Sequence, residues 1–311
     1  MQIPPTTSQH TPSTESWPAQ FVIRWGYVTL LVGGLMASWA LQVQSAPPWL
    51  TITGVIATAG GLIWLWERHL PHTAQWRVDG RRLRLDILHT LISSGGISRL
   101  VEISLISTIA TLAPSLGPDG ALWPIHLPLG VQLAMALLIG EFGAYWAHRL
   151  CHTTSIGWRI HAVHHSTEAL HIWASGRTHP LNTVLVFSAQ SCLVVLLGAP
   201  SAVIGLMAVF TGINGLLQHA NIRVRPGLVG AIVSTTVHHR WHHSRVLHES
   251  NTNFGNNLIV WDRLFGTIFA PSDRLPGDGI GMTGAVIPET FASHWMTPFV
   301  FHRYETREEE L

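Results

Sequence analysis

Charge is scarce in this chain. Only 11% of its 311 residues are Asp, Glu, Lys or Arg, against about 25% in an ordinary soluble domain, and that shortage excludes a conventional water-soluble globule. What charge there is balances to +1. No basic field attracts nucleic acid, and no basic patch is interleaved with aromatics. Cysteine is nearly missing: Cys151 stands between two histidines and Cys192 inside an apolar run. That pair excludes a disulfide framework and a CxxC zinc motif. On a helix Cys151 lies to one side of the line joining its histidine neighbours, so it is not counted as a ligand. Residues 1–20 lack a basic segment ahead of an apolar one and are rich in Pro, Ser and Thr. They are expected to form a disordered tail rather than a cleaved signal peptide. A repeat of 20–50 residues is also missing.

Apolar residues, by contrast, make up 47% of the chain, and mean hydropathy is +0.28. Trp25 to Val43 is one apolar run, long enough at 1.5 Å per residue to cross roughly 28 Å of hydrocarbon. Pro47-Pro48 ends it, and Trp49 to Trp66 supplies a second span with Trp64 and Trp66 as interfacial anchors. Residues 87–113 form a third, less uniform span, interrupted by Ser93-Ser94-Gly95-Gly96 and carrying Arg99 and Glu102 three residues apart. Pro and Gly between 114 and 128 mark an outer loop, and Leu129 to Trp146 is the fourth span. Leu181 to Leu217 is broken at Gly198-Ala199-Pro200, and its short halves suit a hairpin that enters the membrane and returns to the same face.

The loop after the second span carries Arg68, Arg77, Arg81, Arg82 and Arg84, whereas the 44–48 connection has no charge. The positive-inside rule therefore places the basic loop and the N-terminus in the cytoplasm. Four crossings bring the chain back to that side before His148. The expected fold is thus an all-α integral membrane bundle of about four transmembrane helices plus a re-entrant hairpin, capped by a cytosolic histidine-rich helical domain. Its parts are a tail (1–20), a transmembrane region (21–147), a catalytic domain (141–272, with the hairpin 181–217) and a C-terminal segment with an acidic tail (273–311).

Histidine is the residue type in conspicuous excess, with 20 copies. His148-x3-His152 is followed by His161-x2-His164-His165, and His239-x2-His242-His243 repeats the second spacing after His238. Residues four apart share a helix face, so each such pair can present two imidazoles to one ion. Imidazoles packed this closely repel when protonated and need partners when neutral, and a shared metal removes both difficulties. A bland alternative, a capping or interfacial histidine, suits any one of them but not the set. Imidazole suits Zn, Cu, Fe and Ni. Eight ligands exceed what one ion can hold, so two metals are expected. Glu141, two helical turns before His148, lies on nearly the same face and can hydrogen-bond a ligand imidazole; a pairing with arginine is the structural alternative.

These clusters resemble the fatty acid hydroxylase and sterol desaturase superfamily of membrane di-iron oxygenases. HRLCH at 148–152, HAVHH at 161–165 and HHRWHH at 238–243 carry the resemblance. RTHP at 177–180, QHAN at 218–221 and NFGNNLIVWDRLFGTIFAP at 253–271 reinforce it. It implies metal ligation by His148, His152, His161, His164, His165, His239, His242 and His243, which would also be the catalytic set, with His219 as a ninth ligand. Arg223 stands where the 2-hydroxylase branch completes a His-x3-His pair with His219. His179, His238 and Asn221 are possible supports for the ligands, and Asn221 and Asp262 suit turns equally well.

The implied activity is O2-dependent hydroxylation of a lipid C–H bond in an acyl chain, sterol or headgroup. Two iron ions are the implied cofactor, for which zinc can substitute in purified protein, and electrons come from an external electron-transfer protein. Desaturation by the same centre is an alternative. A histidine-rich membrane metal transporter or sensor is a rival of another class, disfavoured because the histidines lie beyond the apolar runs. The polar stretches Ser166 to Arg177 and Ser244 to Asn253 favour hydroxylation, since they can admit a headgroup or chain terminus.

Overall fold

A computed structural model describes residues 16–112, 122–271, 276 and 279–306. Most of the expected tail, the outer loop up to residue 121 and the acidic stretch from residue 307 lie outside the described residues. Among those described, regular structure is helical, with only four isolated β-bridges.

Helix α1 (Trp17–Val43) starts eight residues ahead of the expected Trp25, inside the expected tail. Pro18 sits in its first turn, where the missing N–H has no intrahelical partner to lose. At about 40 Å the helix outruns the hydrocarbon layer, and Trp17, Phe21 and Trp25 stay exposed at one end, with Trp39 towards the other. That is the placement of aromatic residues at the two interfaces. After Pro47-Pro48 a wide π-type turn (Trp49–Gly54) leads into α2 (Val55–His69).

Residues 80–112 form a contiguous helical stretch over the expected third span, irregular where Ser93-Ser94-Gly95-Gly96 interrupts it. Helix α3 (Gly80–Leu88) runs through a second wide turn (His89–Ser98) into α4 (Arg99–Leu112). The four described helices long and apolar enough to cross a membrane are Trp17–Val43, Trp49–His69, Leu129–Thr153 and Ser201–His219. The second arm of the hairpin therefore belongs to the set, and the described part of 87–113 is not among these four. The Ser-Ser-Gly-Gly stretch winds into the wide turn, and Arg99 and Glu102 form a 2.7 Å ion pair beside it.

Helix α5 (Leu129–Thr153) packs against α7 (Pro180–Leu196) through two glycines. A Cβ on Gly143 would lie 2.0 Å from the Ala189 carbonyl oxygen, and one on Gly140 would lie 2.8 Å from that of Gln190. Only glycine lets the two backbones approach so closely. Helix α8 (Ser201–His219) fills the centre, burying Val203, Val209, Ile213 and Leu217 against α1, α2 and α5. Asn214 is satisfied within this core, accepting a 2.7 Å bond from the Tyr27 hydroxyl.

The cap consists of α6 (Ser155–His165), a 3-10 turn (Ile172–Gly176), α9 (Thr236–His242), α10 (Leu247–Ser250), α11 (Val260–Phe265) and α12 (Phe291–Val300). It covers the end of the bundle where α2, α5 and α8 finish and α1 and α7 begin. The Arg225 N–H bonds the Ile23 carbonyl at 2.8 Å, and Glu67 of α2 accepts the N–H groups of Ile172 and Asn221 at 2.9 and 3.1 Å. Beyond the polar composition expected after His219, α12 forms and packs on α6.

Candidate metal centre

The nine expected ligand histidines converge into two groups. His148, His152, His161, His165 and His242 form the first, and His164, His219, His239 and His243 form the second. Within each group one ring nitrogen per residue lies within 4.8 Å of all the others. Helix α5 brings His148 and His152 on one face, α6 brings His161 and His165 on one face with His164 turned towards the second group, and α9 divides its histidines likewise. His219 arrives at the last residue of α8.

In the second group the four Nε2 atoms close a ring: His164 to His219 at 3.3 Å, His219 to His239 at 2.9 Å, His239 to His243 at 3.0 Å, and His243 to His164 at 3.2 Å. In the first, Nε2 of His161 lies 3.1 Å from Nε2 of both His148 and His165. The Nε2 atoms of His152 and His242 are buried without a partner.

The opposite edges of the rings explain this convergence. Nδ1–H of His148 donates to the Phe254 carbonyl at 2.8 Å, that of His242 to the Thr252 carbonyl at 2.8 Å, and that of His164 to the Arg177 carbonyl at 3.1 Å. His219 donates to the Gly215 carbonyl at 2.8 Å, and His161 and His152 to the side-chain oxygens of Asn182 and Asn251 at 3.0 and 3.2 Å. A carbonyl only accepts, so the proton resides on Nδ1 and the Nε2 lone pair faces inwards. Lone pairs 3 Å apart repel unless a cation lies between them. Nitrogen ligands bound about 2.0–2.1 Å from a divalent ion stand about 3 Å apart, so the donor set fits a metal at each group. Burial first, and the neighbouring imidazoles after it, hold His161, His164, His165, His239, His242 and His243 well below the ordinary histidine range. They are neutral, as ligands must be.

Glu141, Asn221, His179 and His238 stand further off. Glu141 bonds not an imidazole but Asn257, through its backbone N–H at 2.9 Å and its side-chain amide at 3.0 Å. Asn221 clasps Thr73. His179 caps α7 by accepting the Leu181 N–H, and His238 completes the capping box of α9 with Thr235. Asp262 accepts the N–H groups of Phe254 and Gly255, both at 2.8 Å, and so fixes the carbonyl that His148 uses. A Cβ on Gly255 would fall 2.2 Å from the Leu258 carbonyl oxygen, so glycine is required there. The Cys151 thiol faces Asn182 rather than either group. Asn182, Asp86, His171 and Glu289 carry no sequence pattern that links them to the histidine clusters. The first three are fully or nearly fully buried around the site.

A cavity of about 250 Å³ opens beside His152 and His165 of the first group, lined also by Trp158, Arg245, Asn251 and Met282. Its wall includes part of the polar stretch 244–253. The other stretch, 166–177, is mostly buried and braces His164 instead.

The fatty acid hydroxylase family model matches residues 133–267. The ornithine lipid hydroxylase OlsE of Rhizobium tropici is 38% identical over 287 residues, which are 91% of this chain and 82% of that protein. Alkylglycerol monooxygenase of Homo sapiens is 26% identical over 248 residues, 76% of this chain and 55% of that protein. A Delta(7)-sterol 5(6)-desaturase of Aspergillus fumigatus is 26% identical over 161 residues, 51% of this chain and 44% of that protein. No solved structure matches. Membrane-crossing helices capped by converging imidazoles, with hydroxylases and monooxygenases as relatives, define a multi-pass membrane oxidoreductase. The chain belongs to the fatty acid hydroxylase family.

Proposed function

We propose that this chain hydroxylates a C–H bond of a membrane lipid, using O2 at two iron ions held by the two histidine groups. The observation that carries the reading is the inward convergence of Nε2 atoms whose Nδ1 protons are bound outwards. His148, His152, His161, His165 and His242 are the proposed ligands of one ion, and His164, His219, His239 and His243 of the other. Iron at these nitrogens would supply the redox chemistry that O2 activation needs, whereas zinc there would be redox-silent.

The protein's part is orientation and access. Carbonyls of Phe254, Thr252, Arg177 and Gly215 fix the ring directions, and such outward hydrogen bonds raise ligand basicity. The cavity at His152 and His165 gives the first group an approach lined by Ser244, Arg245 and Asn251. Its mixed lining, with Arg245 and Asn251 beside Trp158, Leu247 and Met282, suits a lipid portion where polar and apolar groups meet, and the ornithine lipid hydroxylase is a relative of matching kind. In this reading an external electron-transfer protein reduces the site. The arginines of the 67–86 segment, at the capped end of the bundle, support a cytoplasmic position for the cap.

The test is turnover under 18O2 with lipid extraction and mass spectrometry, in cells with and without the gene. A product heavier by one labelled oxygen is expected. A product lighter by two hydrogens and free of label overturns hydroxylation in favour of desaturation.

A further inference from the structure

Asp86 lies on α3, outside the matched family segment, yet its carboxylate reaches the second histidine group through one intervening residue. It is fully buried. One oxygen accepts Nε–H of Arg177 at 2.5 Å and the other meets Nε2 of His171 at 2.8 Å. The Arg177 side chain is only 1% exposed, and its far side donates from Nη1 to the two oxygens of Glu289 at 3.2 and 3.1 Å. Arg177's own carbonyl is the acceptor for Nδ1–H of His164.

The segment that carries this carbonyl is held against the turn after α3. The Thr90 hydroxyl shares its proton between the Asp86 carbonyl at 2.9 Å and the Trp173 carbonyl at 3.1 Å, and Ser94 donates to the Gly176 carbonyl at 3.0 Å. A Cβ on Gly176 would lie 2.1 Å from the Thr90 hydroxyl oxygen, so segment 172–177 is pressed directly onto the turn after α3. Within the second group, His219 takes its acceptor from its own helix, one turn back. His164 is anchored to a separate segment, and Asp86 ties that segment to α3. Burial alone would push the Asp86 carboxyl up, but the bonds from His171 and the Arg177 charge outweigh it and hold the group below the ordinary aspartate range. The carboxylate is therefore present as the charge that Arg177 requires, since a guanidinium this buried is costly without a partner.

We infer that Asp86 is a positioning residue for the second histidine group: it fixes Arg177, and through the Arg177 carbonyl it sets the tautomer and direction of His164. The inference rests on the two-metal reading above. Residues one step behind metal ligands typically change metal affinity by about 10- to 100-fold.

The experiment compares full-length wild type, Asp86→Asn and Asp86→Glu in detergent micelles. Iron content, affinity under chelator challenge and the Mössbauer spectrum of 57Fe-loaded protein are read, not turnover alone. Wild type is expected to hold two irons. Asp86→Asn should bind one as before and the other about 10- to 100-fold more weakly, with the signature of one site altered, and Asp86→Glu should restore part of the loss. Two irons of unchanged affinity and spectrum in Asp86→Asn overturn the positioning role while leaving the metal reading intact. Wild type without two irons overturns the metal reading and this inference with it. Should Asp86→Asn fail to fold, Glu289→Gln at the more exposed end of the same guanidinium is read instead. It should weaken the second iron several-fold, and unchanged affinity there also overturns the role.

Discussion

Glu141 and Asn257, 116 positions apart, meet in a two-point clasp: the carboxylate accepts both the backbone N–H and the side-chain amide of Asn257, at 2.9 and 3.0 Å. The clasp pins the 253–258 loop to the middle of α5, and that loop presents the Phe254 carbonyl to His148. Glu141→Ala should leave these buried donors unsatisfied, a loss of about 1–3 kcal/mol. We expect a lower thermal midpoint and weakened metal retention at the first group, with Glu141→Gln milder because its amide oxygen still accepts one bond. Calorimetry and elemental analysis of the purified variants check this, and wild-type values in Glu141→Ala would refute it.

His164→Ala and His242→Ala remove one nitrogen from the second and the first group respectively. Each should lower metal content and activity together while membrane insertion persists, because neither side chain contributes to the apolar core that holds the spans. Full metal stoichiometry in both variants would remove these histidines from the site.

Acid should destabilise the metal-free protein through the same rings. His161, His164, His165, His239, His242 and His243 are held well below their ordinary value by burial and then by one another. Below about pH 6.5 the unfolded chain therefore binds protons that the folded chain refuses, and stability falls as pH falls. The metal-loaded protein should respond in the same direction, because protons compete with the ion for nitrogen. Thermal midpoints of chelator-treated protein at about pH 7.5 and about pH 5.5 should differ, the acidic one being lower. Equal midpoints would contradict the neutral, tightly packed arrangement.

Reporter fusions at Ser45 and Gly80 should fall on opposite sides of the membrane, with Gly80 cytoplasmic. The 44–48 turn is at the uncapped end of the α1–α2 pair, whereas Gly80 opens α3 at the capped end. Accessibility of both from outside would sink this topology.

The histidines were legible in the sequence because a helix converts spacing directly into direction: residues four apart on α5, α6 and α9 must share a face. What braces them was not. The acceptors for His148, His164, His219 and His242 are backbone carbonyls, and every residue type has one. Asn182 and Asp86 come from other elements, where no local pattern links them to the clusters. The breaks at Pro47-Pro48 and at Gly198-Ala199-Pro200 could be read, since both interrupt apolar runs. Residues 87–113 were harder, because an apolar average conceals a wide turn at Ser93-Ser94-Gly95-Gly96 and an ion pair. Helix α12 has only ten residues, too few for a clear period in the sequence.

The division of α9 between the two groups bears on biosynthesis. A nascent chain that has reached only the end of α8 already carries four of the five histidines of the first group, but just His164 and His219 of the second. The first set is complete only at residue 242 and the second at residue 243, by which time all four candidate spans have been made. On the two-metal reading, an ion arriving before then would find only partial sites on a still growing polypeptide.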